Sequence, residues 1–274
     1  MTIRKTDKEL AFLYDPYIAP DWGLRFAGLI DEHVKLPKQG RALYVASGTG
    51  GHALALKERA GEDVTFVCVD ESEERLELLR AKALALKEPG TEFHHAQVEA
   101  LLLEDEEFDL VIGDASLIVP ERLPEMLAEL ARVAAPEAMV AVCLVTASSF
   151  GEFFSIYWEA LANTGHIEEA GVVETLINEL PTVSDVEALA AREGLDEVES
   201  HTSLEEFYFA SGEAFLSAPL VSDFLLVNWL DSIAEETARA EVLGEIERII
   251  DEERTGVDFT LSIKATIVAG RKAV

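Results

Sequence analysis

The sequence predicts a doubly wound α/β fold, a mostly parallel sheet with helices on both faces. Three observations carry that expectation. Short apolar runs alternate along the chain with stretches of helix formers, the pattern of a parallel sheet wrapped by its crossover helices. The first such run, Ala42-Leu-Tyr-Val45, breaks into Ala46-Ser-Gly-Thr-Gly-Gly51, from which helix formers run to Ala60 and stop at Gly61. The next run, Val64-Thr-Phe-Val-Cys-Val69, is apolar and β-branched throughout, as a strand covered on both faces must be, and it ends in Asp70.

In chain order, the first residues, 1–38, read as an N-terminal helical lid. Tyr14-Asp-Pro-Tyr17-Ile-Ala-Pro-Asp-Trp22 precedes an amphipathic helix through Leu24, Phe26, Leu29 and Ile30, and Pro37 and Gly40 lead into the sheet. Residues 39–146 form a cofactor-binding half. Gly48 and Gly50 allow positive φ and close approach of a ligand, and the helix after them aims free N–H groups at it. An acid after the following strand can accept hydrogen bonds from ribose hydroxyls, which places Asp70 at a ribose; its alternative role is as an acid at a helix N-terminus, since Ser72 and a helix over 73–87 follow. Pro89-Gly90 stops that helix, and Thr91–Val98 reads as a third strand. His94 and His95 are adjacent in it and point to opposite faces, with no completing ligand set, so no metal is expected. The fourth strand, Phe108–Gly113, delivers Asp114 to the crevice at the strand ends, as a ligand contact or as a turn residue before Ser116. Helix formers over 121–134 lead to a fifth strand, Met139–Val145.

Residues 147–205 read as a substrate-side elaboration. Phe150, Phe153, Phe154, Tyr157, Trp158 and Leu161 recur at helical spacing, as a core stripe or a pocket wall. Ser184-Asp-Val-Glu187 reads as a capping box. A strand over 198–209 and, in the closing segment 206–274, a helical region over 220–252 and a clean alternation of Phe259, Leu261, Ile263, Ala265 and Ile267 complete one elaborated domain.

The formal net charge of −31 offers no basic patch for a phosphate backbone, which argues against nucleic acid as partner. No apolar run is long enough to span a bilayer, and the N-terminus lacks the apolar core of a signal peptide, so no membrane association and a cytoplasmic protein are expected. Cys68 and Cys143, the only cysteines, fall inside predicted strands and should be free thiols.

Gly48-Thr-Gly50-Gly-His-Ala53 also fits a dinucleotide pattern. Taken together, however, Leu43-Tyr-Val-Ala-Ser-Gly-Thr-Gly50, Asp70, Glu107-Phe-Asp-Leu-Val-Ile-Gly-Asp114 and Arg132-Val-Ala-Ala-Pro-Glu-Ala138 resemble the ordered motifs of class I S-adenosylmethionine-dependent methyltransferases. Within these, the small-molecule "type 11" group that includes the quinone-biosynthesis enzymes is nearest, and the resemblance spans about Tyr14 to Val145. It implies a seven-stranded sheet with its last strand antiparallel, and S-adenosylmethionine as cofactor. Ala46, Ser47, Gly48, Thr49 and Gly50 would form the cofactor turn, Asp70 and Glu71 the ribose side, Gln97 and Val98 the adenine side, and Asp114 the methionine or substrate end. The lid would fold over the cofactor, with Tyr14 and Tyr17 either as contacts or as aromatics stapling the helix. The methyl acceptor would be a small molecule, apolar or cationic rather than phosphorylated. Three positions depart from the family: Tyr44 stands where an acid is usual, Ala46 where the first glycine is usual, and Gln97 where an Asp is usual. They define a second reading, a non-catalytic binding or scaffold protein on the same fold.

Overall fold

The computed structural model describes residues 5–87, 90–253 and 257–274; Pro89, expected to help stop a helix, and residues 1–4 of the N-terminus lie outside them. The chain folds into two compact units, one of residues 5–144, 182–202 and 265–274, the other of residues 145–181 and 203–264 among those described.

The elements follow in the order α1 (Asp7–Leu13), a π-helical stretch Tyr14–Gly23, α2 (Leu24–His33), β1 (Gly40–Val45), α3 (Gly51–Ala60), β2 (Val64–Asp70), α4 (Glu73–Leu86), β3 (Thr91–His95), β4 (Phe108–Asp114), α5 (Leu123–Val133), β5 (Ala134–Thr146) and α6 (Gly151–Asn163). Then come α7 (Ala170–Glu179), α8 (Val183–Arg192), β6 (Leu195–Phe209), α9 (Gly212–Ser217), α10 (Leu226–Trp229), α11 (Glu236–Glu253) and β7 (Phe259–Lys272). One seven-stranded sheet runs in the order β3-β2-β1-β4-β5-β7-β6. The first five strands in that order are parallel, and β7 runs antiparallel, Thr202 meeting Thr266 while Gly194 meets Ala273. The expected fold class is the one observed.

Sequence accounts for the core directly. Ala42–Val45 of β1 and Phe66–Val69 of β2 are buried residue after residue, so both faces of these central strands are covered. Leu123, Met126, Leu127, Leu130 and Ala131 lie on one stripe of α5, which packs against the sheet. Cys68 and Cys143 are free and buried, and burial pushes both thiols above the ordinary cysteine range. Among the described residues no helix is long and apolar enough to cross a membrane.

Three local expectations need correction. The third strand ends at His95 rather than Val98, because Ala100 N–H turns back onto the Gln97 carbonyl at 3.0 Å. The helix expected to open at a Ser184 capping box instead opens one turn-half earlier, with Thr182 as N-cap and Asp185 closing the box at 3.2 and 3.0 Å. The helical region over 220–252 is divided, with a break after Trp229.

In the second unit the aromatic stripe is core. Phe153, Phe154, Tyr157 and Leu161 are at most 2% exposed, and Phe153 stacks on Trp229 with ring centroids 4.4 Å apart. Phe215 and Phe259 extend the cluster. Trp158, at 49% exposed, lies off the stripe.

Candidate functional site at the strand ends

The register brings the motif residues together. Val45 pairs with Val69 on one side and Gly113 on the other, so β1, β2 and β4 end at one edge and release Ala46, Asp70 and Asp114 there. The turn from Ala46 to Gly50 is closed by Ser47 N–H on the Val69 carbonyl and Gly50 N–H on the Ser47 carbonyl, both 3.0 Å. Gly48 and Gly50 take φ of 58° and 73°, and Ala46, without a glycine's freedom, takes 57°. Thr49 is buried, and the hydroxyl of Ser47 is buried with no hydrogen-bond partner. A buried hydroxyl without a partner in a turn built for close approach is what a polar ligand would satisfy.

Asp70 is 1% exposed and ties the turn to β2. It accepts Gly48 N–H at 2.7 Å and Ser72 N–H at 2.9 Å, and Arg75 Nε lies 2.9 Å from its Oδ1. Burial raises its carboxyl above the ordinary aspartate value despite Arg75 and the two amides. Asp70 thus accepts the amide of Ser72, the N-cap of α4, and its oxygens keep acceptor capacity beyond these three partners.

On the expected adenine side the structure is different in detail. Glu71 accepts the Val98 N–H at 3.1 Å, so that amide is already paired within the chain. Glu71 also shares the Arg122 guanidinium with Glu99, which holds Glu99 below the usual carboxylate range. Gln97 is exposed.

Asp114, half-buried, accepts the Ser116 N–H at 3.0 Å, and burial pushes its carboxyl above the ordinary value. Tyr44 is 4% exposed, and its hydroxyl lies 3.1 Å from His52 Nδ1. His52 Nε2 lies 3.2 Å from Asp31, which also pairs with Arg59. Burial first, then the nearby Asp114 charge, push the phenols of Tyr44 and Tyr14 upward. The line of Asp31, Tyr44 and His52 is not visible in the sequence, where Tyr44 alone stands out, as a polar aromatic in the apolar run Ala42–Val45 and in place of the family's acid.

The N-terminal stretch fastens onto this turn. A Cβ at Gly48 would lie 2.8 Å from the Tyr14 ring, so only glycine admits that contact. Arg75 sits over the Tyr14 ring, 5.8 Å from its centroid. Asp15 bonds the Thr49 hydroxyl, Lys82 bridges Asp15 at 2.7 Å and the Thr49 carbonyl at 2.9 Å, and Trp22 Nε1 donates to Ser116 at 3.0 Å. Tyr17, at 53% exposed, makes no part of it. Among the described residues no cluster suited to a metal ion occurs.

Residues 42–137, from β1 to the start of β5, match the methyltransferase domain family. Over these residues the chain is similar to a methyltransferase domain. Similar curated proteins include the demethylmenaquinone methyltransferase of Shouchella clausii, 34% identical over 125 residues that cover 44% of this chain and 52% of that protein. That of Bacillus licheniformis is 28% identical over 179 residues, 61% of this chain and 75% of that protein. The chain therefore spans about half the length of the first of these relatives. Among solved structures, the YcgJ protein of Bacillus subtilis aligns with a TM-score of 0.61 at 15% identity, over 92% of this chain and 99% of that one. Phosphoethanolamine N-methyltransferase 2 of Haemonchus contortus, solved with S-adenosyl-L-methionine, aligns with a TM-score of 0.58 at 13% identity, over 100% of this chain and 59% of that one. At these identities the likenesses show the fold alone.

Proposed function

We propose that this chain transfers a methyl group from S-adenosylmethionine to a small, apolar acceptor of the quinol type. The observation that carries the reading is the glycine turn from Ala46 to Gly50, closed by Asp70 and holding the unpartnered buried hydroxyl of Ser47, within a methyltransferase domain. Ser47, Gly48, Thr49 and Gly50 would line the cofactor, Asp70 would take a ribose hydroxyl, Ala46 and Asp114 would flank its amino-acid end, and Glu71, Gln97 and Val98 would border its base. For Val98 to serve, Glu71 must release its amide. The bound cofactor supplies an electrophilic sulfonium methyl. The chain's part is to hold acceptor and methyl in line and keep water out, which is worth roughly 7–11 kcal/mol of a barrier. Tyr14, Asp15 and Trp22, fastened across the turn, are the groups placed to exclude water.

The relatives named for demethylmenaquinone support the acceptor class, and the net charge of −31, which repels phosphorylated metabolites, supports an uncharged or cationic one. The test is transfer of label from methyl-tritiated S-adenosylmethionine to demethylated naphthoquinols, compared with phosphoethanolamine. Labelled naphthoquinol with unlabelled phosphoethanolamine is expected; the reverse pattern, or none with either acceptor, overturns the acceptor class.

A further inference from the structure

We propose that Arg122 holds Glu71 as a latch over the Val98 amide. The base side of the site then stands closed by the chain's own carboxylate and opens when a ligand's ring nitrogen takes that amide. The inference rests on the cofactor reading above and adds to it a regulation of that same site.

Three segments of the chain meet at the latch. Glu71 follows the last residue of β2, Val98 and Glu99 lie in the turn closed by Ala100 N–H on the Gln97 carbonyl, and Arg122 ends the short helical turn Pro120–Arg122 before α5. Glu71 Oε1 accepts the Val98 N–H at 3.1 Å and also takes Arg122 Nη2, while its Oε2 takes Nη1 at 3.1 Å. Glu99 takes Nη2 through Oε2 at 2.6 Å and Nε through Oε1. One guanidinium is thus bidentate to two carboxylates, and only one of the two covers an amide.

The Val98 amide is a donor, and an unprotonated ring nitrogen can only accept. With the latch closed, that nitrogen meets a carboxylate, acceptor against acceptor, so Glu71 must leave before the base can be read. Glu99 lowers the cost of that step. When Glu71 leaves, Arg122 keeps a bidentate carboxylate and is not stranded, and the two acids crowded on one cation repel each other. The side chains of Glu71, Arg122 and Glu99 are 20%, 29% and 27% exposed, so the released carboxylate turns to water rather than into the core. Arg122 therefore opposes opening and Glu99 eases it, and apparent affinity follows the open fraction.

The experiment is calorimetric titration of the full chain, Arg122→Gln and Glu99→Gln with S-adenosylhomocysteine, beside hydrogen exchange at the Val98 amide in each free protein. Arg122→Gln leaves Glu71 and Glu99 with no cation between them. It is expected to tighten S-adenosylhomocysteine by roughly threefold to tenfold and to speed exchange at Val98. Glu99→Gln leaves Arg122 to Glu71 alone, and it is expected to weaken the ligand by roughly threefold and to slow that exchange. A clamp that only braced the fold would weaken binding in both variants, so the opposite signs separate a latch from a brace. Equal or weaker binding in Arg122→Gln, or equal or tighter binding in Glu99→Gln, overturns the latch and leaves the cofactor reading intact. Failure of all three proteins to bind S-adenosylhomocysteine overturns both.

Discussion

The ends of β2 and β4 look alike and do different work. Each closes on an aspartate followed two residues later by a serine whose N–H it accepts, at 2.9 Å for Asp70 and 3.0 Å for Asp114. Both carboxyls are raised by burial. Asp70 then gains Gly48 N–H and Arg75, which tie it to the glycine turn. Among the described residues Asp114 forms no ion pair, and its one side-chain partner is Ser116. The difference teaches that the local Asp-x-Ser signature fixes a turn, while the assignment of a carboxylate to structure or to ligand depends on who answers its charge across the fold.

The sharpest way to break this contrast is to remove each acid in turn. Asp70→Ala strands Arg75 and the Gly48 amide, and unfolding in urea should show a loss of roughly 3 kcal/mol, as for a buried pair broken on one side. Asp114→Asn should lack that loss and should change the pH dependence instead. In the folded chain Asp114 keeps its proton to higher pH than in the unfolded chain. Between the ordinary aspartate value and the raised one, the folded state therefore binds more protons, and stability falls as pH rises. The variant removes that slope, so urea midpoints measured from about pH 4 upward should show it gaining on the wild type with rising pH and matching it below. Asp70 shifts in the same direction but is present in both proteins and cancels. If the two midpoints run parallel across the series, Asp114 carries no buried charge.

A smaller effect is expected within the turn. Ala46 holds φ 57°, a left-handed conformation that costs a residue with a Cβ, and Ala46→Gly should raise stability by about 1 kcal/mol in the same urea assay. The smallest belongs to Gln97, whose side chain is exposed: Gln97→Ala should leave S-adenosylhomocysteine affinity within about twofold, and a larger loss would give that side chain a role in holding the base.

Much of the methyltransferase domain was legible because its signals are local. Strand, glycine turn and helix lie within Ala42–Ala60, the continuous apolar runs mark central strands, and Asp70 and Asp114 sit at their ends by the period of the fold alone. What was not legible depends on distant pairs. Asp31, Tyr44 and His52 meet only when α2, β1 and α3 pack, and Glu71 takes the Val98 amide only because Arg122 anchors it from another segment. The stripe from Phe153 to Leu161 reads equally as wall or core until Trp229 and Phe215 are seen covering it. The cap at Thr182 was missed because Ser184 and Glu187 offer the same chemistry two residues on.

The most direct measurement is a crystal structure of the chain grown with S-adenosylhomocysteine. The expected result is adenosyl density against the turn from Ser47 to Gly50, with ribose at Asp70 and the amino-acid end beside Ala46 and Asp114. A nucleoside bound away from the turn, or no nucleoside density at saturating ligand, would contradict the claim that this glycine turn is the cofactor site.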